Sequence, residues 1–176
     1  MTRRSLILLF VGIIAILGVL WLKPWKPPTD PGFDQSKNAL PGKTMKVLDE
    51  GERFVLLAID PFPRSASDSS LPRAKEVFHD FGILGKAEIR DVAQRKALLK
   101  ALYQGIADSD GQVAACFNPR HGISASLGEE TVDLLICFEC LSIRTYAKHG
   151  KSVLTSDSSQ QAFNLALEKA GLPLAK

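Results

Sequence analysis

The chain carries none of the short signatures that fix a reaction. There is no GxxxxGK[ST] phosphate loop, no GxSxG nucleophile elbow, no HExxH pair and no GxGxxG dinucleotide fingerprint. A basic stripe interleaved with aromatics is missing too, which argues against a nucleic-acid partner. Acidic residues are absent from residues 1–26, where Arg3, Arg4, Lys23 and Lys26 stand; the rest of the chain holds 18 basic and 19 acidic side chains. The net charge of +3 therefore comes from the amino-terminal segment and says nothing about the remainder.

Charge is missing altogether from Ser5 to Leu22, the run SLILLFVGIIAILGVLWL. Eighteen residues at about 1.5 Å rise each reach about 27 Å as a helix, close to the ~30 Å hydrocarbon core of a bilayer. The run lacks the small-x-small pair of a cleavage site at its exit, and no cysteine follows it to carry a lipid. Trp21 and Trp25 suit the water–lipid boundary. Residues 1–22 are thus expected to be a retained transmembrane signal-anchor spanning 5–22, with the bilayer as its partner. A buried helix of a soluble core is the plainer alternative.

Arg3 and Arg4 favour a cytoplasmic amino terminus, although Lys23, Lys26, Lys37, Lys43 and Lys46 lie beyond the run. A short leading tail and a large following domain favour export of the bulk. The expected place is a bacterial inner membrane, crossed once, with the carboxy-terminal domain in the periplasm.

Residues 23–46 hold five of the ten prolines and almost no apolar pattern, so they read as a semi-extended linker. Residues 47–176 have the size of one domain with its own core. Within it, Arg53–Ile59 reads as a strand stopped by Asp60-Pro61-Phe62-Pro63, and Val77–Ile89 as bent or paired strands. Asp91-x-x-Gln94 has capping-box spacing and opens a helix whose stripe is Val92, Leu99, Leu102, Tyr103 and Ile106, with Arg95 on its wet face. Five strand-like segments follow: Val113–Phe117, Ile123–Leu127, Thr131–Glu139, Leu141–Tyr146 and Ser152–Thr155. Their short connections, one of them at His149-Gly150, imply antiparallel pairing. Ser158-x-x-Gln161 opens a last helix that Gly171-Leu172-Pro173 stops. The expected class is α+β, a mainly antiparallel sheet with two helices on one face and the other face left to solvent.

All three cysteines lie in the hairpin region. They are open to three readings: small apolar packing residues, a disulfide of Cys116 with Cys137 or Cys140 in an oxidising compartment, or a Cys₃His zinc or copper(I) site of Cys116, His121, Cys137 and Cys140. A Cys137–Cys140 bridge needs a bend, because residues three apart on a strand face opposite ways. Thiol catalysis lacks the helix amino terminus that lowers a thiol pKa, and nothing places an oxyanion hole for a hydrolase. Arg120 is expected to pair with Glu139 or Asp133 and lock the hairpin; His79 has no evident partner.

The runs Cys116-Phe117-Asn118-Pro119-Arg120-His121-Gly122 and Asp133-Leu134-Leu135-Ile136-Cys137-Phe138-Glu139-Cys140 resemble the CFxPRHG…DLLICFEC signature of a family of bacterial exported or membrane-anchored proteins of unassigned activity. The similarity extends over most of residues 53–173, including Leu84-Gly85-Lys86. It implies an intact exported domain and transfers no catalytic role. The sequence reading is therefore a membrane-anchored extracytoplasmic domain, binding or envelope-associated rather than catalytic. The alternative is a metal- or thiol-dependent activity at the four Cys and His residues.

Overall fold

The computed structural model describes residues 33–63, 76–148 and 150–175. The apolar run at 5–22 lies outside them, and so does His149; among the described residues no helix is long and apolar enough to cross a membrane.

Seven strands form one antiparallel sheet: β1 (Arg53–Pro63), β2 (Val77–Phe78), β3 (Phe81–Glu88), β4 (His121–Leu127), β5 (Glu130–Cys137), β6 (Ser142–Tyr146) and β7 (Ser152–Leu154). Their spatial order is β2-β3-β1-β4-β5-β6-β7. Among the described residues three α-helices accompany the sheet: α1 (Gly42–Glu50), α2 (Val92–Ala107) and α3 (Gln160–Lys169). The α+β class and antiparallel sheet are as expected from the sequence; the helix count is not.

Strand alternation sorts the core. Phe54, Leu56 and Ala58 of β1 point to the helix side with Ile123, Ala125, Leu134, Ile136 and Ile143. Against them pack Leu48 of α1, Leu98, Leu99 and Leu102 of α2, and Phe163 and Leu167 of α3. Burying each of these side chains contributes about 1.5–3 kcal/mol.

The opposite face is not left to water. Val55, Leu57, Ile59 and Leu135 are buried there beneath Phe78 and Phe81, with Phe117 packed alongside. Gly122 permits this cover: a Cβ there would sit 3.3 Å from the Phe78 ring and 3.4 Å from Ile59. The strand also runs through its prolines to Pro63 rather than stopping at Ile59. β4 pairs with β1 only as far as Ala58, and the β3 register shifts after Ala58 and again after Ile59. Pro61 and Pro63 therefore take up an edge-like stretch where a missing N–H costs little.

The folded unit begins before residue 47, which corrects the expected linker of 23–46. Asn38 acts as a surrogate strand residue: its Nδ2 donates to Ile106 O and Leu154 O, and its Oδ1 accepts from Leu154 N at 2.7 Å. Gln35 Nε2 donates to the carbonyls of Ile106 and Ala107, satisfying the open end of α2. Leu40 and Leu48 are buried, and Arg95 reaches across to donate to the carbonyls of Asp49 and Gly51. Arg95, read from sequence as a wet-face residue, thus closes the carboxy end of α1. Tyr103 adds a hydrogen bond from its hydroxyl to Asp49 Oδ1 at 2.9 Å. Burial foremost, with Asp49 beside it, holds that phenol well above its usual range.

Local signals behave unevenly. Asp91 caps α2 by accepting from Ala93 N at 2.7 Å and Gln94 N at 3.2 Å. Ser158 does not cap α3; a 3₁₀ turn at Asp157–Ser159 precedes the helix, and Ser156 caps that turn. Gly171, at φ +68°, ends α3 with Leu172 N donating back to Leu167 O. Residues 113–117, expected as a strand, form an irregular loop.

Leu48→Ala separates a structural α1 from a detachable linker. We expect a loss of about 2–5 kcal/mol of unfolding free energy in a urea titration, as for other fully buried leucines. An unchanged midpoint would show that α1 adds nothing to the stability of the folded unit.

Candidate functional site

The four candidate ligands lie around the turn that joins β5 to β6. β5 ends at Cys137, the chain turns through Phe138–Leu141, and Leu141 adopts φ +54°. This is the bend that a bridge between residues three apart requires, and Cys137 and Cys140 are disulfide-bonded with a Cα–Cα distance of 5.1 Å. Both are buried. Cys140 N donates to Cys137 Sγ at 3.1 Å, Asn118 N to Cys140 Sγ at 3.3 Å, and Ala114 N to Cys140 O at 3.1 Å. The irregular loop is thereby held against the bridge, with the Cys116 thiol free and exposed.

The metal reading does not fit this arrangement. Zinc and copper(I) bind thiolates, and two of the three sulfurs are joined to each other. Among the described residues no three His, Cys, Asp or Glu side chains converge on a point that could hold an ion. His121 faces elsewhere. It opens β4 on the helix side of the sheet, 2% exposed, with its ring set edge-on to Phe138 and Phe163 at 5.3 and 5.8 Å. Its Nε2 donates to Asn164 Oδ1 at 2.8 Å. Burial, aided by the neighbouring Arg120 charge and opposed by the Asn164 bond, pushes its pKa down to about 4. At neutral pH it is an uncharged packing residue.

Arg120 Nη1 lies 2.7 Å from Glu139 Oε2, an ion pair that ties the start of β4 to the β5–β6 turn. Asp133, the other carboxylate suggested for Arg120, is engaged on the opposite face. The pair borders a polar cleft of about 210 Å³ that Gln160 and Asn164 of α3 close from the far side. Arg120 is about a quarter exposed there and Glu139 more than half. The cleft, which His121 also lines, offers one guanidinium, one carboxylate, two amides and a neutral imidazole already bonded to Asn164 to a small polar ligand, and no activated nucleophile.

His79 is the residue whose setting the sequence did not disclose. It sits in the tight β2–β3 turn at φ +53°, stacked on Tyr146 with ring centroids 3.6 Å apart. Its Nε2 lies 3.1 Å from Asp133 Oδ2, while the buried Asp133 Oδ1 has no partner among the described residues. The signal that could have found it is register: Asp133 and Tyr146 are cross-strand partners on the face opposite the helices. Beside them the Arg144 guanidinium lies 3.8 Å above the Phe117 ring.

No protein-family model, curated protein or solved structure matches the chain. The functional reading therefore rests on geometry and on the sequence pattern.

Two outcomes follow from the site. Alkylation of the denatured, unreduced protein is expected to modify one cysteine, Cys116, and reduction to raise the number to three; three thiols before reduction, with zinc lost on His121→Ala, would restore the metal site. The second concerns pH. The unfolded chain protonates His121 at its ordinary value of 6.5, whereas the folded chain resists until about 4. Between those values the unfolded state holds more protons, so stability falls as pH is lowered through this window, by on the order of 3 kcal/mol from this group. Denaturation midpoints at pH 7 and 4.5 should show a drop that shrinks in His121→Gln; equal drops in both proteins would remove His121 as its source.

Proposed function

We propose that the chain is a binding domain tethered by residues 5–22 to a bacterial inner membrane and working in the periplasm. The observation that carries this reading is the Cys137–Cys140 bridge, in a domain that follows an uncharged 18-residue run preceded by Arg3 and Arg4. Disulfides persist in oxidising compartments, and the run is long enough to cross a bilayer on the way to one. Binding rather than catalysis is supported by the state of the polar groups: His121 is buried and neutral, and Arg120 and Glu139 neutralise one another at the edge of a small cleft.

One observation favours a thiol-dependent second reading. Asn118 N and Ala114 N fasten the loop carrying Cys116 onto Cys140. Attack of a Cys116 thiolate on Cys140 Sγ would form a Cys116–Cys140 bond and release Cys137 as thiolate, stabilised by the Cys140 N–H that already points at it. The exchange needs no outside oxidant.

The tether is tested by alkaline extraction of membranes together with a carboxy-terminal fusion to a reporter active only outside the cytoplasm. Retention in the membrane with an active reporter is the expected result. Recovery in the soluble fraction without residues 1–22, or a silent reporter, overturns the reading.

A further inference from the structure

We propose that the groove between the start of α1 and the nearby end of the β4–β5–β6 sheet seats an anionic phospholipid of the tethering membrane. This inference rests on the anchor reading given above and adds a specific lipid contact to it. The groove encloses about 430 Å³, within the range of ligand sites. Its walls are Pro41, Val47, Leu127, Val132 and Ala147. Its rim carries Lys43, Lys46 and Lys148, against which Glu130 is the one lining carboxylate. Among the described residues none of these three ammonium groups has an acid within ion-pair distance.

Three free cations around an apolar trough complement a phosphate group attached to glycerol and acyl carbons. A zwitterionic headgroup would bring its own cation against the lysines. α1 adds to the positive potential, because Pro41 supplies no capping side chain and the first turn has no acid.

The position of the groove is set by the chain itself. Lys37 O accepts from Lys151 Nζ at 2.6 Å, which joins the first described residues to the end of the sheet that carries Lys148. Residues 23–32 are all that separates the apolar run from Phe33, a reach of at most about 35 Å when fully extended. A groove at this end of the domain is within reach of the bilayer surface.

The test uses the full chain in nanodiscs of phosphatidylcholine alone or mixed with phosphatidylglycerol, read by amide hydrogen exchange. Exchange at residues 41–47 and 127–132 should slow by roughly five-fold or more in the anionic discs, the factor that one lysine contributes near an acidic surface. The slowing should vanish in K43Q/K46Q/K148Q and survive in K43R/K46R/K148R. Equal exchange in the two discs, or slowing that the glutamine variant keeps, overturns the proposal. Oleate producing the same slowing in phosphatidylcholine discs would assign the groove to a free fatty acid and overturn it as well. Alkaline extraction of the same discs reports the anchor separately: release of the chain sinks the tether, whereas a retained chain with exchange indifferent to lipid charge sinks the groove alone.

Discussion

Strand β1 is buried on both faces, and that constraint organises the molecule. From Phe54 to Ile59 every residue is inside, even-numbered side chains toward the helices and odd-numbered ones toward Phe78 and Phe81. One layer of helices cannot cover such a strand. The second cover is made from the β2–β3 hairpin folded back over the sheet and from the Phe117 loop. That loop is short of regular hydrogen bonds, and its attachments to Cys140 hold it in place. The disulfide turn therefore serves both faces: Phe138 packs beside Phe163 of α3, while Cys140 holds the loop that covers the opposite face. It fixes the carbonyl and sulfur to which the Phe117 loop is bound.

The same constraint explains the polar residues that sequence inspection singled out. Arg120, His121 and Glu139 lie where β4 enters the sheet beside that turn, and each is committed to a neighbour: Arg120 to Glu139, His121 to Asn164 and the two phenylalanine rings. A histidine held neutral by burial is a poor proton acceptor near pH 7, and a guanidinium paired with carboxylate is half-neutralised toward an anion. The proximity that suggested chemistry is what a hairpin needs in order to close. The His79–Asp133 contact differs, since one carboxylate oxygen is buried without a partner among the described residues and His79 holds a backbone conformation uncommon outside glycine.

How far the fold was legible follows from which signals are local. The Asp91 cap, the α2 stripe from Leu99 to Ile106 and the strands from Ile123 to Leu154 depend on neighbours in sequence, and they stand close to where periodicity put them, although Val92, expected in that stripe, is exposed and Leu98 is buried beside it. α1 was hidden because Pro41, Gly42, Lys43 and Lys46 dilute its apolar pattern to Val47 and Leu48, whose partners lie on strands distant in sequence. Arg95 looked solvated for a similar reason: the carbonyls it closes, of Asp49 and Gly51, end a helix that the sequence reading did not expect and whose first five residues it placed in the linker. Asn38 carries no local signal at all, since its role is set by Ile106 and Leu154. Of the candidate site, the Arg120–Glu139 pairing could be argued from turn positions. The Cys137–Cys140 bond could not, because strand alternation opposes it and only the turn at Phe138–Leu141 reverses that rule.

The earlier start of the fold changes what the proline-rich segment can do. With Gln35, Asn38 and Leu40 fastened to the domain, the segment between the apolar run and the folded body shortens from 24 residues to ten. Four prolines fall in those ten, Pro24, Pro27, Pro28 and Pro31. On the proposed tethering, a connection of ten residues limits the separation between bilayer and domain to at most about 35 Å. Charges fixed on the face nearest the tether then act within a Debye length of roughly 8–10 Å only if that face is turned to the bilayer. On the tethered reading, the contacts of residues 35–38 with α2 and β7 choose which face that is.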